Sequence, residues 1–178
     1  MGWTGIILAA GGSTRMGQHK AMLDWSGEPI VVKHCRAIMN AGGEVIVALG
    51  AERERIRSAL PPDVTVSINT DWATTQMAHT LRGALEGVRG GALITPVDVP
   101  PVPVDVAIRL TQCPYPAVAC HRGVDGHPVW VDAECTRTAL ENETLAACLV
   151  TAKRIEVNWP GCVRSWNTPS EWSSQSPA

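Results

Sequence analysis

Two basic residues in a glycine-rich turn are the side chains of this protein best suited to chemistry. Arg15 and Lys20 lie within Gly11-Gly12-Ser13-Thr14-Arg15-Met16-Gly17-Gln18-His19-Lys20, directly after the apolar run Ile6-Ile7-Leu8-Ala9-Ala10. Glycines let a backbone turn sharply and approach a ligand closely, and successive main-chain N–H groups at such a turn form a concavity for anions. A guanidinium adds bidentate contact and an ammonium adds a point charge. The loop therefore has the make-up of a phosphate cradle. Its spacing departs from two common phosphate loops. The form G-x-x-x-x-G-K-[ST] needs a lysine immediately after the second glycine, whereas Gln18-His19 follow Gly17 here and no hydroxyl follows Lys20. The dinucleotide form G-x-G-x-x-G is absent, and its uncharged turn would not carry Arg15 and Lys20. A P-loop NTPase is disfavoured and a dinucleotide-binding oxidoreductase is a minor alternative.

The elements that must hold this loop follow from hydrophobic periodicity. Strand-like runs recur at 5–9, 45–49, 64–68, 92–95, 117–119 and 128–131, with helix-like stretches at 29–40, 52–60, 77–88 and 104–111 between them. A helix over 133–149 and a strand over 154–157 come next. Pro29 suits a helix start, Gly42-Gly43 a helix stop and Pro61-Pro62-Asp63 a turn. This alternation predicts a Rossmann-like three-layer α/β/α sandwich with a mostly parallel central sheet, in one domain over 1–172 with a frayed tail at 173–178. Trp25, Trp72, Trp130, Trp159, Trp166 and Trp172 read as packing residues.

Composition narrows the partners. A net charge of -2 with 45% hydrophobic and 18% charged residues gives no bias toward nucleic acid or an anionic membrane surface. An anionic ligand must then be met by local cations. The six cysteines, Cys35, Cys113, Cys120, Cys135, Cys148 and Cys162, have no metal-ligand spacing, and the expectation is reduced thiols in a cytoplasmic protein without a disulfide framework. No leader peptide or membrane-length apolar run is evident.

The stretch from Leu8 to Leu23 resembles the signature L-A-[AG]-G-x-[GS]-x-R-M-G-x-x-K-x-L-L of the MobA-like nucleotidyltransferases, and most of all the cytidylyltransferases that act on the molybdenum cofactor. That resemblance implies the fold of the nucleotide-diphospho-sugar transferases. It also implies a nucleotide site built from Leu8, Ala9, Ala10, Gly11, Gly12 and Ser13, with Arg15 and Lys20 on the phosphates. Leu93-Ile94-Thr95-Pro96-Val97-Asp98-Val99-Pro100 is similar to the family's strand ending in D-x-P, so Asp98 is the expected Mg²⁺ ligand. A carboxylate at the C-terminal edge of a strand lies where open α/β sheets hold ligands, and Mg²⁺ uses one or two carboxylates with phosphate oxygens. Gly126-His127-Pro128-Val129 resembles a segment beside the acceptor substrate, which assigns Gly126 and His127 there. Trp166-Asn167-Thr168-Pro169-Ser170-Glu171 looks like a degraded [DN]-T-P-E-D element, with Ser165 where an acid is frequent. Asn167 is its candidate metal contact, with a helix cap at Thr168 as the competing reading. Between Asn69 and Leu81 the family pattern N-x-x-[WY]-x-x-G-[ML]-x-x-S-L is altered, and Asn69 and Thr80 are its candidates for reading the base.

The reaction so implied is transfer of a nucleotidyl group to an acceptor phosphate with loss of pyrophosphate. The resemblance favours CTP through Ala10, since guanylyl-transferring relatives tend to carry glycine there. It further implies molybdopterin as acceptor, hand-over to a molybdenum hydroxylase, and a monomer or weak oligomer. Open alternatives are a guanylyltransferase, transfer to another phosphorylated acceptor, and a non-catalytic cofactor carrier of the same fold.

Overall fold

The computed structural model describes residues 2–142 and 149–175. Its centre is the run that precedes the glycine loop. β1 (Trp3–Ala9) lies between β4 (Glu44–Leu49) and β6 (Gly91–Pro96), parallel to both, with Ile7 opposite Val47 on one side and Thr95 on the other. β5 (Thr65–Ile68) extends the parallel set beyond β4. Such central strands are apolar on both faces because helices cover both. Alternate residues of β1 enter different cores: Ile7 and Ala9 pack on one face, Ile6 and Leu8 on the other.

The first face is covered by α1 (Ile30–Asn40), α2 (Arg53–Ala59) and α4 (Val104–Thr111) through Val31, Cys35, Ile38, Ile56, Ala107 and Leu110. The second is covered by α3 (Met77–Leu85) and α5 (Ala133–Asn142) through Ala84, Leu85, Cys135 and Ala139. The expected three-layer α/β/α sandwich is thus present. β8 (Val124–Val131) runs antiparallel to β6, β7 (Ala117–His121) antiparallel to β8, and β9 (Lys153–Glu156) parallel to β7. The seven-stranded order is β5-β4-β1-β6-β8-β7-β9. Chain order reverses between β1 and β6, and the crevice outside the carboxyl ends of those two strands is where such sheets bind ligands. The glycine loop leaves β1 there, and Asp98 leaves β6 beside it.

Several boundaries differ from expectation. A short hairpin, β2 (Asp24–Trp25) with β3 (Glu28–Pro29), turns through Ser26 and Gly27, both at positive φ (52° and 84°), the geometry of a two-residue hairpin loop. The predicted helix at 77–88 closes at Leu85 and continues as a turn, and that at 133–149 is described as far as Asn142, 143–148 lying outside the described residues. Ser173 to Gln175, expected to fray, complete the final helix α6 (Pro169–Gln175), and 176–178 lie outside the described residues. The cysteine reading is corrected at one position. Cys35, Cys113, Cys120 and Cys162 are free thiols, but Cys135 is disulfide-bonded. Wide spacing along the chain does not bar a bridge between segments that the fold brings together. Among the described residues no helix is long and apolar enough to cross a membrane.

Candidate functional site

The glycine loop is held rigidly before it meets any ligand. Ser13 adopts a left-handed conformation (φ 50°), its carbonyl accepts from Met16 N–H at 2.9 Å, and its Oγ accepts from Lys20 N–H at 2.9 Å. Gly17, at φ 71°, reverses the chain at little steric cost. The His19 ring is buried and its Nδ1 accepts from Ala21 N–H at 3.2 Å, capping the short turn Lys20–Met22. Burial lowers the His19 pKa, which keeps the ring neutral and able to accept. Met16 and Ala21 plug into the core below. The turn of the loop is therefore fixed by partners within the chain itself.

Across the crevice, Val97 N–H donates to Leu8 O at 3.1 Å and so ties the turn after β6 to the end of β1. The Lys20 ammonium donates to Asp98 Oδ2 at 2.8 Å and to Asn167 Oδ1 at 2.9 Å. Three segments far apart in sequence thus meet at one cation. Asn167 is brought there by a cap. Glu171 Oε2 accepts from the N–H groups of Asn167 (2.7 Å) and Thr168 (3.0 Å), Thr168 Oγ1 accepts from Glu171 N–H (3.4 Å), and Pro169 starts the helix. These backbone bonds hold the Glu171 pKa below the usual carboxylate range. Trp166 N–H donates to Asp98 O at 2.9 Å, and the Trp166 ring, 1% exposed, packs against Trp25 and Trp172 with centroids 5.2 and 4.9 Å away. Beneath Asp98 lies fully buried His34 of α1, whose Nε2 is 3.0 Å from Val99 O. Pro100 and Pro101 follow Val99 and offer no N–H, so a side-chain donor satisfies that carbonyl.

Two cavities open on this arrangement. The first, about 260 Å³, is lined by Gly11, Ser13, Arg15, Lys20, Asp98 and Asn167 among others; Leu8 and Ala9 form part of its wall. Arg15 is exposed at its rim and has no ion-pair partner among the described residues. The second, about 430 Å³, is lined by Asp125, Gly126, His127, Val163, Arg164 and Ser165. Both share Leu8, Met77, Pro96 and Asp98. They are two lobes of one cleft, with the Asp98 carboxylate at the boundary. Burial lowers the His127 pKa, so its ring is neutral near pH 7. Gly126 is required because a Cβ there would collide with the Cys162 carbonyl.

Four residues expected at the nucleotide line neither lobe. Asn69 Nδ2 donates to Thr75 Oγ1 and Thr80 Oγ1, each at 2.9 Å, and Asn69 Oδ1 accepts from Asp71 N–H at 3.0 Å. Asn69 and Thr80 brace the loop 69–80 from inside. Ala10 is buried, with its carbonyl accepting from Ala51 N–H at 3.0 Å. Gly12 is packed so that a Cβ would stand 2.9 Å from the Trp72 ring, and a Cβ on Gly50 would stand 2.6 Å from Trp72 Cβ. Met77, Arg164 and Ser165 line the cleft without having been expected there. Met77 lies within the altered 69–81 stretch with no polar signature of its own, Ser165 stands where the resemblance has an acid, and the sequence signal for Arg164 was its closeness to that element.

The Asp98 and Asn167 oxygens suit Mg²⁺. Both are hard donors, and they already converge on a single cation, the Lys20 ammonium. No group of three His, Cys, Asp or Glu side chains that could hold a metal alone exists among the described residues. Phosphate oxygens and water would have to complete the shell, as Mg²⁺ sites at phosphates do.

A family model described as MobA-like NTP transferase domain matches residues 5–154. A molybdenum cofactor guanylyltransferase of Xanthomonas euvesicatoria is 42% identical over 52 residues, 29% of this chain and 28% of that protein. The molybdenum cofactor cytidylyltransferase of Escherichia coli K12 is 26% identical over 141 residues, 76% of this chain and 73% of that protein. The nicotine blue oxidoreductase of Paenarthrobacter nicotinovorans is 30% identical over 145 residues, 73% of this chain and 71% of that protein. Among solved structures, Rv0371c from Mycobacterium tuberculosis superposes with a TM-score of 0.80 at 22% identity, covering 98% of this chain and 97% of that one, a likeness of fold.

Proposed function

Because the chain belongs to the MobA-like NTP transferase family, matched over residues 5–154, we propose that it transfers CMP from CTP to the terminal phosphate of molybdenum-loaded molybdopterin. The observation that carries this reading is the two-lobed cleft with Lys20, Asp98 and Asn167 meeting at its waist. A terminal phosphate oxygen of the acceptor attacks the α-phosphorus, the bond from that phosphorus to the β-bridging oxygen breaks, and pyrophosphate leaves. The phosphate nucleophile is already anionic near neutral pH, so no general base is needed; catalysis becomes positioning and charge neutralisation.

The chain's residues divide that work by place. Backbone N–H groups of Gly11 and Ser13 and the exposed Arg15 guanidinium hold the triphosphate in the smaller lobe. Lys20, in the smaller lobe and paired with Asp98 at the boundary, faces the α-phosphoryl oxygens where charge develops. Asp98 and Asn167 are the residues that would hold Mg²⁺, which when bound neutralises and aligns phosphate oxygens. The acceptor enters the larger lobe beside Gly126 and His127. The product would pass to a molybdenum hydroxylase.

CTP as donor rests on the Ala10 resemblance. Its methyl lies behind the loop rather than in a lobe, and Trp72, packed on Gly12 and Gly50, is the larger surface on that side. A pyrophosphate-release screen of CTP, GTP, ATP and UTP with Mg²⁺, pairing molybdopterin with a panel of other phosphomonoesters, tests donor, acceptor and activity together. CTP- and molybdopterin-dependent release, lost in Asp98→Ala, is expected. An Ala10→Gly variant with unmoved CTP/GTP preference would refute the part given to Ala10. The oxidoreductase relative motivates a second arm: nicotinamide oxidation in place of pyrophosphate release would overturn the transferase reading. Triphosphate binding without turnover on any acceptor would favour the carrier.

A further inference from the structure

The larger lobe contains two carboxylates, and both are already neutralised. Asp98 is paired with Lys20, and Asp125 is gripped by the Arg154 guanidinium through Nε (2.7 Å) and a terminal nitrogen (3.0 Å). His127 in the same wall is driven neutral by burial. Arg164 is the remaining charged side chain of this lining, and no carboxylate lies within ion-pair reach of it among the described residues. The lobe as a whole is thus positive by one uncompensated guanidinium.

The backbone beneath Arg164 is firmly anchored although the side chain is exposed. The preceding turn Pro160–Val163 buries Gly161 and Cys162, Arg164 N–H donates to Gly161 O at 3.2 Å, and the Cys162 carbonyl sits against Gly126 of β8. Two residues on, Trp166 is locked into the aromatic trio and bonded to the Asp98 carbonyl. A free cation is held on a fixed base in the same cavity as Asp98. An unpaired guanidinium on an otherwise charge-balanced cavity wall suits a doubly anionic phosphomonoester, two of whose oxygens match the guanidinium fork.

We propose that Arg164 is the specificity-determining residue that engages the phosphomonoester of the acceptor and thereby selects phosphorylated over dephosphorylated acceptors. This rests on the transferase reading for the direction of the chemistry, but it concerns binding and is testable apart from turnover. The residue acts before the bond-making step, so its loss raises the acceptor's dissociation constant and KM while the nucleotide's stay unchanged.

The decisive experiment titrates the full chain, wild type against Arg164→Gln and Arg164→Lys, with molybdopterin and with dephosphorylated molybdopterin by calorimetry. CTP binding is measured alongside. Loss of one charge-assisted contact at an exposed, salt-screened site should weaken molybdopterin about tenfold in Arg164→Gln. The dephosphorylated probe and CTP should bind as to wild type, and Arg164→Lys should restore part of the loss. Equal weakening of both probes, an unchanged molybdopterin affinity, or a wild type that does not distinguish the probes would each overturn the proposal. Preserved discrimination without any pyrophosphate release would instead overturn the transferase reading and leave Arg164 standing.

Discussion

Replacing Lys20 by methionine removes the ammonium, keeps most of the stem, and should move two observables in opposite directions. The ammonium makes charge-assisted bonds to Asp98 at 2.8 Å and Asn167 at 2.9 Å, with the Lys20 and Asp98 side chains 15% and 24% exposed. Such bonds contribute about 1.5–3 kcal/mol each, and partial exposure places these at the lower end. A divalent ion seeking the same oxygens in the substrate-free protein must forfeit both. Removing the competitor should therefore raise Mn²⁺ affinity by roughly ten- to a hundredfold, at about 1.4 kcal/mol per decade. Turnover should fall by about 10²–10³, the usual cost of losing one preorganised group that faces developing charge. Mn²⁺ titration followed by electron paramagnetic resonance reads the first quantity, pyrophosphate release the second, and a thermal melt establishes that the variant is folded. A folded Lys20→Met protein with weaker or unchanged Mn²⁺ binding would refute the reasoning, because Asp98 and Asn167 would then need Lys20 to hold their geometry.

Burial lowers the His34 pKa to about 4 from a usual value near 6.5, so the unfolded chain takes up a proton at a higher pH than the folded one. Stability should then be fully present above about pH 6.5 and decline as the pH falls toward 4, by about 3 kcal/mol at most. His34→Gln, whose side-chain amide can still donate to Val99 O, should flatten that stretch of a urea-denaturation profile; an unchanged slope would refute it. The Glu171 carboxylate is held low by the N–H groups of Asn167 and Thr168. Its contribution is present above the ordinary carboxylate pKa and is lost as pH falls through the depressed folded value. Glu171→Ala should melt earlier at neutral pH and converge on wild type in acid, and a gap that persists in acid would contradict the cap. The same variant should lower the affinity for Mn²⁺ with nucleotide, since Asn167 N–H loses its anchor.

The sequence revealed most where chemistry is contiguous. The glycine loop, its two cations and the strand before it form one uninterrupted stretch, so spacing alone separated it from other phosphate loops. Asp98 was legible because an apolar run followed by two prolines marks the end of a strand. The Asn69 and Thr80 roles were not legible, since a buried amide bonded to hydroxyls six and eleven residues away has the same residue types as a base reader. At Asn167-Thr168 the ligand and cap readings looked like rivals, yet they fall on adjacent residues and do not exclude each other. Asn167 faces Lys20 while Thr168 closes the helix. The Cys135 bridge escaped because cysteine spacing along the chain records nothing of which segments the fold brings together.

The sheet changes character at β6, which is parallel to β1 on one edge and antiparallel to β8 on the other. Asp98 stands at that seam, with the triphosphate cradle on one flank and the lobe of His127 and Arg164 on the other. In the proposed reaction the cleft divides into a donor lobe and an acceptor lobe that touch through a few shared wall residues. On that proposal, substitutions in 124–131 and 160–165 would retune what is accepted without disturbing how the triphosphate is gripped. A fold partitioned in this way is open to diversification one half at a time, and exchange of those two segments between relatives is the natural route to new acceptors.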